Sequence, residues 1–166
     1  MGEKLTRTDV KKIKEEIEHR KVVVRKRELE AVKEARAQGD LSENFEYKAA
    51  KQDKNRNESR IRYLEKMLKF AQVIDDTSTS EEVGVNDMVE VFFPEDKETE
   101  KYHLVTSIRG NSMEGKISIE SPLGKALLGK KEGETVLVPV PNCPYQVVVQ
   151  KIIKDLDESR DEIRQF

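Results

Sequence analysis

The sequence predicts an α+β protein, in which an N-terminal antiparallel coiled-coil helical hairpin is followed by a small antiparallel-sheet domain with one short helix. Apolar residues recur at three- and four-residue steps in the first part, and short runs rich in Val, Ile and aromatic residues follow in the second. Between them, DDTSTSEEVG has neither pattern. Charged residues make up 39% of the 166 residues and hydrophobic residues 36%, which leaves a modest core.

The first helix is predicted from Thr8 to Gln38, with Thr6 or Thr8 as its N-cap. Its predicted coiled-coil seam has alternating steps of three and four residues. The seam residues are Val10, Ile13, Ile17, Arg20, Val24, Arg27 and Ala31. Leu29 and Val32 indicate that the apolar stripe drifts midway along this helix.

The second helix begins a few residues later and has a seam of the same spacing. Its seam residues are Tyr47, Ala50, Lys54, Asn57, Ile61, Leu64, Leu68 and Ala71. Two helices with a short connection pack antiparallel, so residues 8–74 are predicted to form a hairpin. At 1.5 Å rise per residue, roughly thirty residues make an arm of about 45 Å.

The turn between the helices carries a group of acidic residues. Gly39 is placed to end the first helix in a left-handed conformation. Asp40 or Ser42 can cap the second helix, and Asp40 with Glu43 has the spacing of a D-x-x-E capping box. The alternative is chemical, because carboxylates such as Asp40, Glu43 and Glu46 are ligands that Mg²⁺ prefers, provided another macromolecule completes the site. Spacing alone leaves both interpretations open.

The second part is predicted to form one sheet with one helix. The strand candidates are NDMVEVFF, YHLVTSI, KISIES, ETVLVPV and YQVVVQKII, separated by turn-like stretches that include FPEDKETEK. Ser121 and Pro122 are the N-cap and first residue of the short helix, Gly129 ends it, and Leu123 and Leu127 face the sheet together with Ala126.

The predicted domain organisation follows from these patterns. It comprises the hairpin at residues 1–75, a linker at 76–84, the sheet domain at 85–154 and a charged tail at 155–166. The tail is interpreted as either a surface helix or a loose segment.

Composition excludes several classes of site and location. Cys143 has no cysteine partner for a disulfide, and with His19 and His103 it cannot complete a zinc site of four Cys or His ligands. Neither a signal-peptide pattern nor a membrane-spanning stretch is present, so a cytoplasmic protein without a membrane partner is expected. Up to residue 75, 20 Lys and Arg residues stand against 15 Asp and Glu residues; the remainder has 11 against 18. This asymmetry hints at a nucleic-acid-facing hairpin.

The sequence resembles the Gre family of bacterial transcription elongation factors, and it is more similar to the GreA branch than to the GreB branch. Five stretches carry the resemblance: ELEAVKEARAQ, GDLSENFEYKAAK, SRIRYLEKML, AQVID and GKISIESPLGKALLGKKEGETVLV. The sequence departs from the family pattern in two places: NRNES at Asn55–Ser59 replaces a less polar segment, and Phe45 stands where the family commonly has alanine. Phe45 either packs on the tip or touches a partner.

The resemblance implies that the coiled coil enters the secondary channel of RNA polymerase while an FKBP-like domain docks at the channel's rim. Such a factor is not itself a nuclease. It stimulates the polymerase's own cleavage of the nascent RNA 3′ end in backtracked complexes, and a monomer is expected. Asp40 and Glu43 match the acidic residues that support the second Mg²⁺ of the polymerase site and orient the attacking water, in two-metal phosphoryl transfer.

The remaining assignments also follow from the resemblance. Ser42, Asn44 and Glu46 are expected to support the tip, Arg36 and Lys51 to contact RNA, and Ser121, Pro122 and Leu128 to dock on the polymerase. Tyr47 falls on the coiled-coil seam and is interpreted as a packing residue, and packing explains Leu123 and Leu127 equally well.

Two other functions stay open at this point. One is a regulator that occupies the secondary channel without stimulating cleavage. The other is a prolyl isomerase or chaperone with a coiled-coil arm, which the few aromatic residues of the sheet domain do not favour.

Overall fold

The computed structural model describes residues 2–39, 44–154 and 161–164, which form two compact units. The first unit consists in the main of Val10–Ala71, and the second contains Lys4–Asp9 together with the chain from Gln72 onward. A helical hairpin in one unit and a sheet with one short helix in the other confirm the predicted α+β class. In the part of the chain that is described, no helix is both long and apolar enough to cross a membrane.

The helices are nearly those that the sequence predicts. Their bounds are α1 at Arg7–His19, a π-helical turn at Arg20–Val24, α2 at Arg25–Arg36 and α3 at Phe45–Phe70. At the start of α1, the Thr6 backbone N–H donates to Asp9 Oδ2 (2.9 Å) and the Asp9 N–H donates to Thr6 Oγ1 (3.2 Å). This reciprocal pair is a capping box, so Thr6 rather than Thr8 is the N-cap.

The π-helical turn moves the buried stripe of the first arm by one position. Val24 is buried, and one turn further on Glu28 is partly buried, whereas Arg27 faces solvent and Leu29 is 46% exposed. The predicted seam residue Ala31 is partly buried. The predicted seam position at Arg27 and the place of Leu29 in the stripe are therefore wrong. A π turn holds one residue more than an α turn, and the stripe beyond it shifts by that residue. Val32 is partly buried, in agreement with the predicted drift.

The predicted seam of α3 is confirmed. Its buried or partly buried residues are Tyr47, Ala50, Lys54, Asn57, Ile61, Leu64, Leu68 and Ala71. Arg60 and Met67 are buried beside this seam and widen it. The stripe packs against the first arm, where Ile13 and Ala35 are buried.

A polar layer crosses the hairpin at Asn57. The Arg20 guanidinium donates to Asn57 Oδ1 (3.1 Å), and Asn57 Nδ2 donates to the Arg20 carbonyl oxygen (3.2 Å). Glu16 accepts from Arg20 Nε (2.7 Å) and from Arg60 Nε (2.9 Å). Burial opposes ionisation of Glu16, but the bonds from Arg60 and Arg20 outweigh it and lower the pKa of this carboxyl. The layer thus gives Arg20 and Asn57, two polar residues of the predicted seams, hydrogen-bond partners across the hairpin.

The second unit contains two sheets. The small one pairs β1 (Lys4–Leu5) in parallel with β2 (Gln72–Val73). The large one has the order β5-β4-β3-β7-β6 and is antiparallel except for the parallel pair of β4 and β5. Its strands are β3 at Met88–Phe93, β4 at Glu98–Val105, β5 at Lys116–Ser118, β6 at Thr135–Val138 and β7 at Tyr145–Ile153.

One strand begins earlier than the sequence predicts. β4 starts at Glu98, within the stretch 93–101 that was predicted to be a turn, and Glu98 pairs with Phe93. Lys97 has a positive φ of 54°, a conformation typical of tight turns. The connection between β3 and β4 is therefore shorter than the charged composition indicates.

The core of this unit is entirely aliphatic. It consists of Val83, Val85, Val89, Val91, Leu104, Ile119, Leu127, Val136, Val138, Val147 and Val149. Leu127 belongs to α4 (Pro122–Leu127), and Leu123 and Ala126 pack against the same core, as predicted. Gly124 is required here, because a Cβ at that position would lie 2.0 Å from the Ser118 carbonyl oxygen.

Part of the predicted linker packs into this unit. Val83 is fully buried, its N–H donates to the Lys130 carbonyl oxygen (2.8 Å), and its own carbonyl accepts from the Gly129 N–H (2.8 Å). Lys154 binds the Asp87 carboxylate and donates to the Glu82 carbonyl oxygen (2.6 Å). The sheet domain therefore includes the chain from at least Glu82 onward.

A buried ion cluster holds both terminal segments of the second unit. The Arg109 guanidinium donates to Asp9 Oδ1 (2.6 Å) and to Asp161 Oδ2 (2.8 Å), and Thr106 Oγ1 donates to Asp9 Oδ2 (2.6 Å). Lys116 Nζ lies 3.0 Å from Asp161 Oδ1. Burial opposes ionisation of Asp161, yet the bonds from Lys116 and Arg109 lower the pKa of its carboxyl.

The tail is therefore not loose throughout. Within the described residues 161–164 it is neither a helix nor a free segment, because Asp161 is buried and the Arg164 N–H donates to the Ile108 carbonyl oxygen (2.6 Å). The prediction of a surface helix or a loose tail is wrong for these residues. Charge compensation of Arg109 and Lys116 explains how so polar a segment becomes buried.

Candidate functional site

The tip of the hairpin joins α2 to α3. α2 ends at Arg36, and Gly39 has a positive φ of 135°, a backbone conformation that favours glycine. Three predicted residues of the tip, Asp40, Ser42 and Glu43, lie outside the described residues. The site is therefore built from the residues on either side of them.

Asn44 links the two arms at the tip. Its backbone is extended, and its Oδ1 accepts from the Tyr47 N–H (2.9 Å), so Asn44 is the N-cap of α3. Its Nδ2 donates to the Ala35 carbonyl oxygen near the end of α2 (2.7 Å). The prediction that Asp40 or Ser42 caps this helix is wrong, because α3 begins later than either residue requires. Helix capping by these two residues is thereby removed as an explanation for the acidic group.

Arg36 and Tyr47 form a second link across the tip. The Arg36 Cζ atom lies 5.6 Å from the centre of the Tyr47 ring. A hydrogen bond with Arg36 is the main cause that lowers the pKa of the Tyr47 hydroxyl, and the positive charges of Arg36 and Lys51 add to it. Tyr47 is half-buried, in agreement with packing on the seam, while Arg36 keeps an exposed side chain.

The first turn of α3 is exposed. Phe45 is 80% exposed, and the Lys48 Nζ atom lies 5.7 Å from the centre of its ring. Glu46 lies in the same turn, where a negative charge is favourable near the helix N-terminus. Lys51 is exposed one turn further on. The tip thus presents an aromatic ring and several cations beside the predicted acidic pair.

The potential metal ligands of the described residues do not gather into a site. Within residues 2–39, 44–154 and 161–164, no group of three or more His, Cys, Asp or Glu side chains could hold a metal ion. The acidic residues predicted to bind Mg²⁺, Asp40 and Glu43, fall outside these ranges. Their donor chemistry fits Mg²⁺, which binds proteins through one or two carboxylates and retains several waters.

The predicted docking residues separate into two kinds. Ser121 serves the fold, since its Oγ accepts from the Gly124 N–H (3.1 Å) and donates to the Ser118 carbonyl oxygen (2.6 Å). Pro122 and Leu128 instead line an open groove of about 670 Å³ together with Leu137, which is exposed on β6. The structure brings Pro122 and Leu128 together on one surface and gives Ser121 a capping role.

The aromatic residues weighed for an isomerase site pack on one another. Phe93 lies edge-on to Tyr102, with ring centres 6.3 Å apart, and stacks on Tyr145 at 6.2 Å. All three are partly buried against the aliphatic core. These three rings therefore pack at the edge of the hydrophobic core.

The sequence analysis names Asn44 and Phe45 at the tip, but it does not predict that Asn44 caps α3 or that Phe45 contacts Lys48. Asn is among the preferred N-cap residue types, so Asn44 was a candidate that the acidic alternatives obscured. The sequence spacing of Phe45 and Lys48, three apart on a helix, also predicts that their side chains meet.

Comparison with known proteins gives consistent matches over both units. The family model for "Transcription elongation factor, N-terminal" matches residues 3–73, and that for "Transcription elongation factor, GreA/GreB, C-term" matches residues 78–154. The transcription elongation factor GreA of Caldanaerobacter subterraneus subsp. tengcongensis is 49% identical over 138 residues, 82% of this chain and 88% of that protein. The protein of the same name from Thermoanaerobacter pseudethanolicus is 46% identical over 151 residues, 90% and 96% of the two chains.

Solved structures show a more distant likeness. A crystal structure of the GreA factor homolog 1 protein of Thermus thermophilus is 28% identical to this chain. It covers 93% of this chain and 100% of its own, with a TM-score of 0.43.

Proposed function

The chain belongs to the GreA/GreB family of transcription elongation factors, and we propose that it stimulates cleavage of nascent RNA by RNA polymerase. In this proposal the hairpin enters the polymerase's secondary channel when the enzyme has backtracked and extruded the RNA 3′ end. The polymerase then cuts its own transcript and regains a 3′ end from which elongation resumes. The observation that carries the proposal is the family match over both units, with the acidic motif GDLSEN intact at the tip.

The contacts around the tip support a role in positioning. Asn44 joins the start of α3 to the Ala35 carbonyl near the end of α2, and Arg36 packs on the Tyr47 ring. These links hold the two ends of the acidic turn in a defined relation to each other. Such rigidity is what a site requires if its carboxylates are to reach a fixed point in another protein.

Asp40 and Glu43 are the residues that would hold the shared Mg²⁺. Their carboxylates supply too few ligands for a site of their own, so the polymerase would complete the coordination. When bound, the ion supplies positive charge that stabilises the phosphoryl transition state. We assign the orientation of the attacking water to the same two residues, and support of the tip to Ser42, Asn44 and Glu46.

Two further surfaces complete the proposal. The exposed cations Arg36 and Lys51 lie close to the tip and would contact phosphates of the extruded RNA. The groove lined by Pro122 and Leu128 is the surface that we assign to docking of the sheet domain on the polymerase. The protein would act as a monomer and as a cofactor of the polymerase rather than as a nuclease.

The test is an RNA cleavage assay with purified polymerase in a defined backtracked complex. Added wild-type protein should shorten the labelled RNA from its 3′ end faster than Mg²⁺ alone. Asp40→Asn and Glu43→Gln should each lose at least about 10²-fold of this stimulation, the order of loss when a single charge-stabilising group is removed. Asp53→Asn is the matched control, because Asp53 is an exposed carboxylate of α3 and should not matter.

Several outcomes would contradict the proposal. Equal stimulation by Asp40→Asn and the wild type would remove the metal role. Wild-type protein that binds the polymerase and slows elongation without shortening the RNA would instead be a regulator that occupies the channel. Cleavage of free RNA without polymerase would make the protein a nuclease.

A further inference from the structure

We propose that Phe45 is a stacking platform for a nucleobase of the extruded RNA 3′ end. The inference rests on the proposed function and deepens it, because it names the chemical group that the tip recognises beyond phosphate. The ligand class is single-stranded RNA with an accessible base face.

Phe45 is placed for contact with a ligand rather than for packing. It is the first residue of α3, directly after the cap formed by Asn44, and its side chain is 80% exposed. The next aromatic residue, Tyr47, is half-buried on the seam and covered by Arg36. The two aromatic residues therefore differ in role, since Tyr47 packs within the hairpin and the Phe45 ring is exposed to solvent.

The position of Phe45 is also fixed. The Asn44 side chain bonds both to the Tyr47 N–H and to the Ala35 carbonyl oxygen, so the backbone on which Phe45 stands is tied to both helices. The backbone at Phe45 therefore needs no further ordering when the ring stacks, and only rotation of the side chain is lost. Phe45 also follows Glu43 by two residues in the sequence, which brings it next to the proposed metal site along the chain.

The cations near Phe45 favour a ligand that combines negative charge with an aromatic ring, as a nucleotide does. The Lys48 Nζ atom lies 5.7 Å from the Phe45 ring centre, and Lys51 is exposed further along α3. Proteins that bind single strands combine stacking rings with cations that follow the phosphates. A nucleotide whose base stacks on Phe45 would place its phosphate within reach of Lys48.

The strandedness of the ligand follows from the same chemistry. In a duplex, base faces are covered by their neighbours, whereas an extruded 3′ end has no complementary strand and can offer its base. Stacking on a phenyl ring is tolerant of sequence, because every base has a π-face. The proposal therefore predicts a contribution that depends on the presence of a base more than on its identity.

The experiment replaces Phe45 and the RNA base independently. Phe45→Ala, Phe45→Leu and Phe45→Trp are compared in the polymerase cleavage assay on two backtracked complexes, whose extruded 3′ nucleotide carries a base or is abasic. Phe45→Ala and Phe45→Leu should lower cleavage of the normal RNA about tenfold, in the range expected for one stacked base, while Phe45→Trp retains it. On abasic RNA all four proteins should act alike.

A second readout does not require cleavage. In the Asp40→Asn background, 2-aminopurine at the extruded 3′ position should lose fluorescence when the protein with Phe45 binds and keep it with Phe45→Ala. This signal is measured even if the wild-type protein stimulates no cleavage, so failure of stacking and failure of the proposed function remain distinguishable. The control is affinity for a polymerase complex without extruded RNA, which should be equal for both proteins.

Three results would overturn the stacking proposal. Full activity of Phe45→Leu would show that apolar contact suffices. A loss of affinity for the complex without extruded RNA would assign Phe45 to the polymerase surface. Unquenched 2-aminopurine with the Phe45 protein bound would show that no base stacks there.

Discussion

The hairpin and the sheet unit both contain ion pairs, and they differ in where these lie. In the hairpin, Glu16 binds Arg20 and Arg60 inside the seam between the arms, and its side chain is 17% exposed. In the sheet unit, the Arg109 side chain is fully buried between Asp9 and Asp161, beside a core made only of aliphatic residues. The ion pairs of the hairpin thus lie within the packing surface between its two arms. The ion cluster of the sheet unit lies beside its apolar core.

The difference teaches what each set of ion pairs does. The hairpin seam is one stripe wide, so a polar layer at Asn57 specifies which residues face each other, as buried polar groups do in coiled coils. The sheet unit has a large apolar core that needs no such device. Its ion cluster instead fixes the segments around Asp9 and Asp161, which are far from Arg109 in sequence.

The largest expected effect tests this contrast in burial. Arg109→Ala should lower the free energy of unfolding of the sheet unit by about 3–5 kcal/mol, because it leaves the Asp9 and Asp161 carboxylates buried without their guanidinium. Arg20→Ala, its counterpart in the hairpin, should cost about 1–3 kcal/mol, since water can reach the remaining partners. Urea denaturation, followed by hydrogen exchange resolved for each unit, measures both. Equal losses would mean that burial does not distinguish the two clusters.

Acid should weaken both clusters in the same direction. The folded-state pKa values of Asp161 and Glu16 are lowered, so each carboxylate contributes stability above its unfolded pKa, about 3.9 for Asp and 4.3 for Glu. This contribution is lost as the pH falls through the lower folded value. Unfolding measured from pH 6 to pH 2 should show this decline.

Asp161→Asn and Glu16→Gln are the matched variants for the pH series. Each should be less stable at pH 6 and lose less on acidification, in the sheet unit and in the hairpin respectively. A wild-type curve that is flat below pH 4 would contradict the assigned shifts.

The smallest effect compares the helix caps of the two units. Asn44→Ala and Ser121→Ala each remove an N-cap and should each cost about 1 kcal/mol. Only Asn44→Ala also breaks the bond to Ala35, so it alone should speed amide exchange at the end of α2 and reduce stimulated cleavage. If Ser121→Ala impairs cleavage as strongly, Ser121 has a role in docking beyond its cap.

The parts of the fold that sequence predicts are those with local causes. Hydrophobic periodicity predicts α3 and the strands, and Ser121 with Pro122 predicts the start of α4. Each of these signals acts over only a few positions. The ion cluster was not predictable in this way, since Asp9 and Asp161 reach Arg109 from positions about a hundred and about fifty residues away. The sequence predicts Thr6 as a possible N-cap, but it does not predict that Asp9 both completes the capping box and binds Arg109.

The tip shows a different limit. Asp40, Ser42 and Asn44 are all good cap residues, and propensity does not choose among them. What decides is the bond from Asn44 to Ala35, a contact between helices that periodicity does not specify. For Asp40 and Glu43 themselves, the motif remains the whole basis of the assignment.

The π-helical turn has a consequence for assigning heptad positions in the first arm of the hairpin. A heptad frame counted from Val10 assigns Arg27 to the buried stripe, where the structure has Glu28, because the turn at Arg20–Val24 adds one residue to the frame. Ala35, beyond the turn, is bonded directly to Asn44, so heptad positions next to the tip are better counted from Ala35. Counting backward from Ala35 in steps of four, three and four residues reaches Ala31, Glu28 and Val24, all of them buried or partly buried.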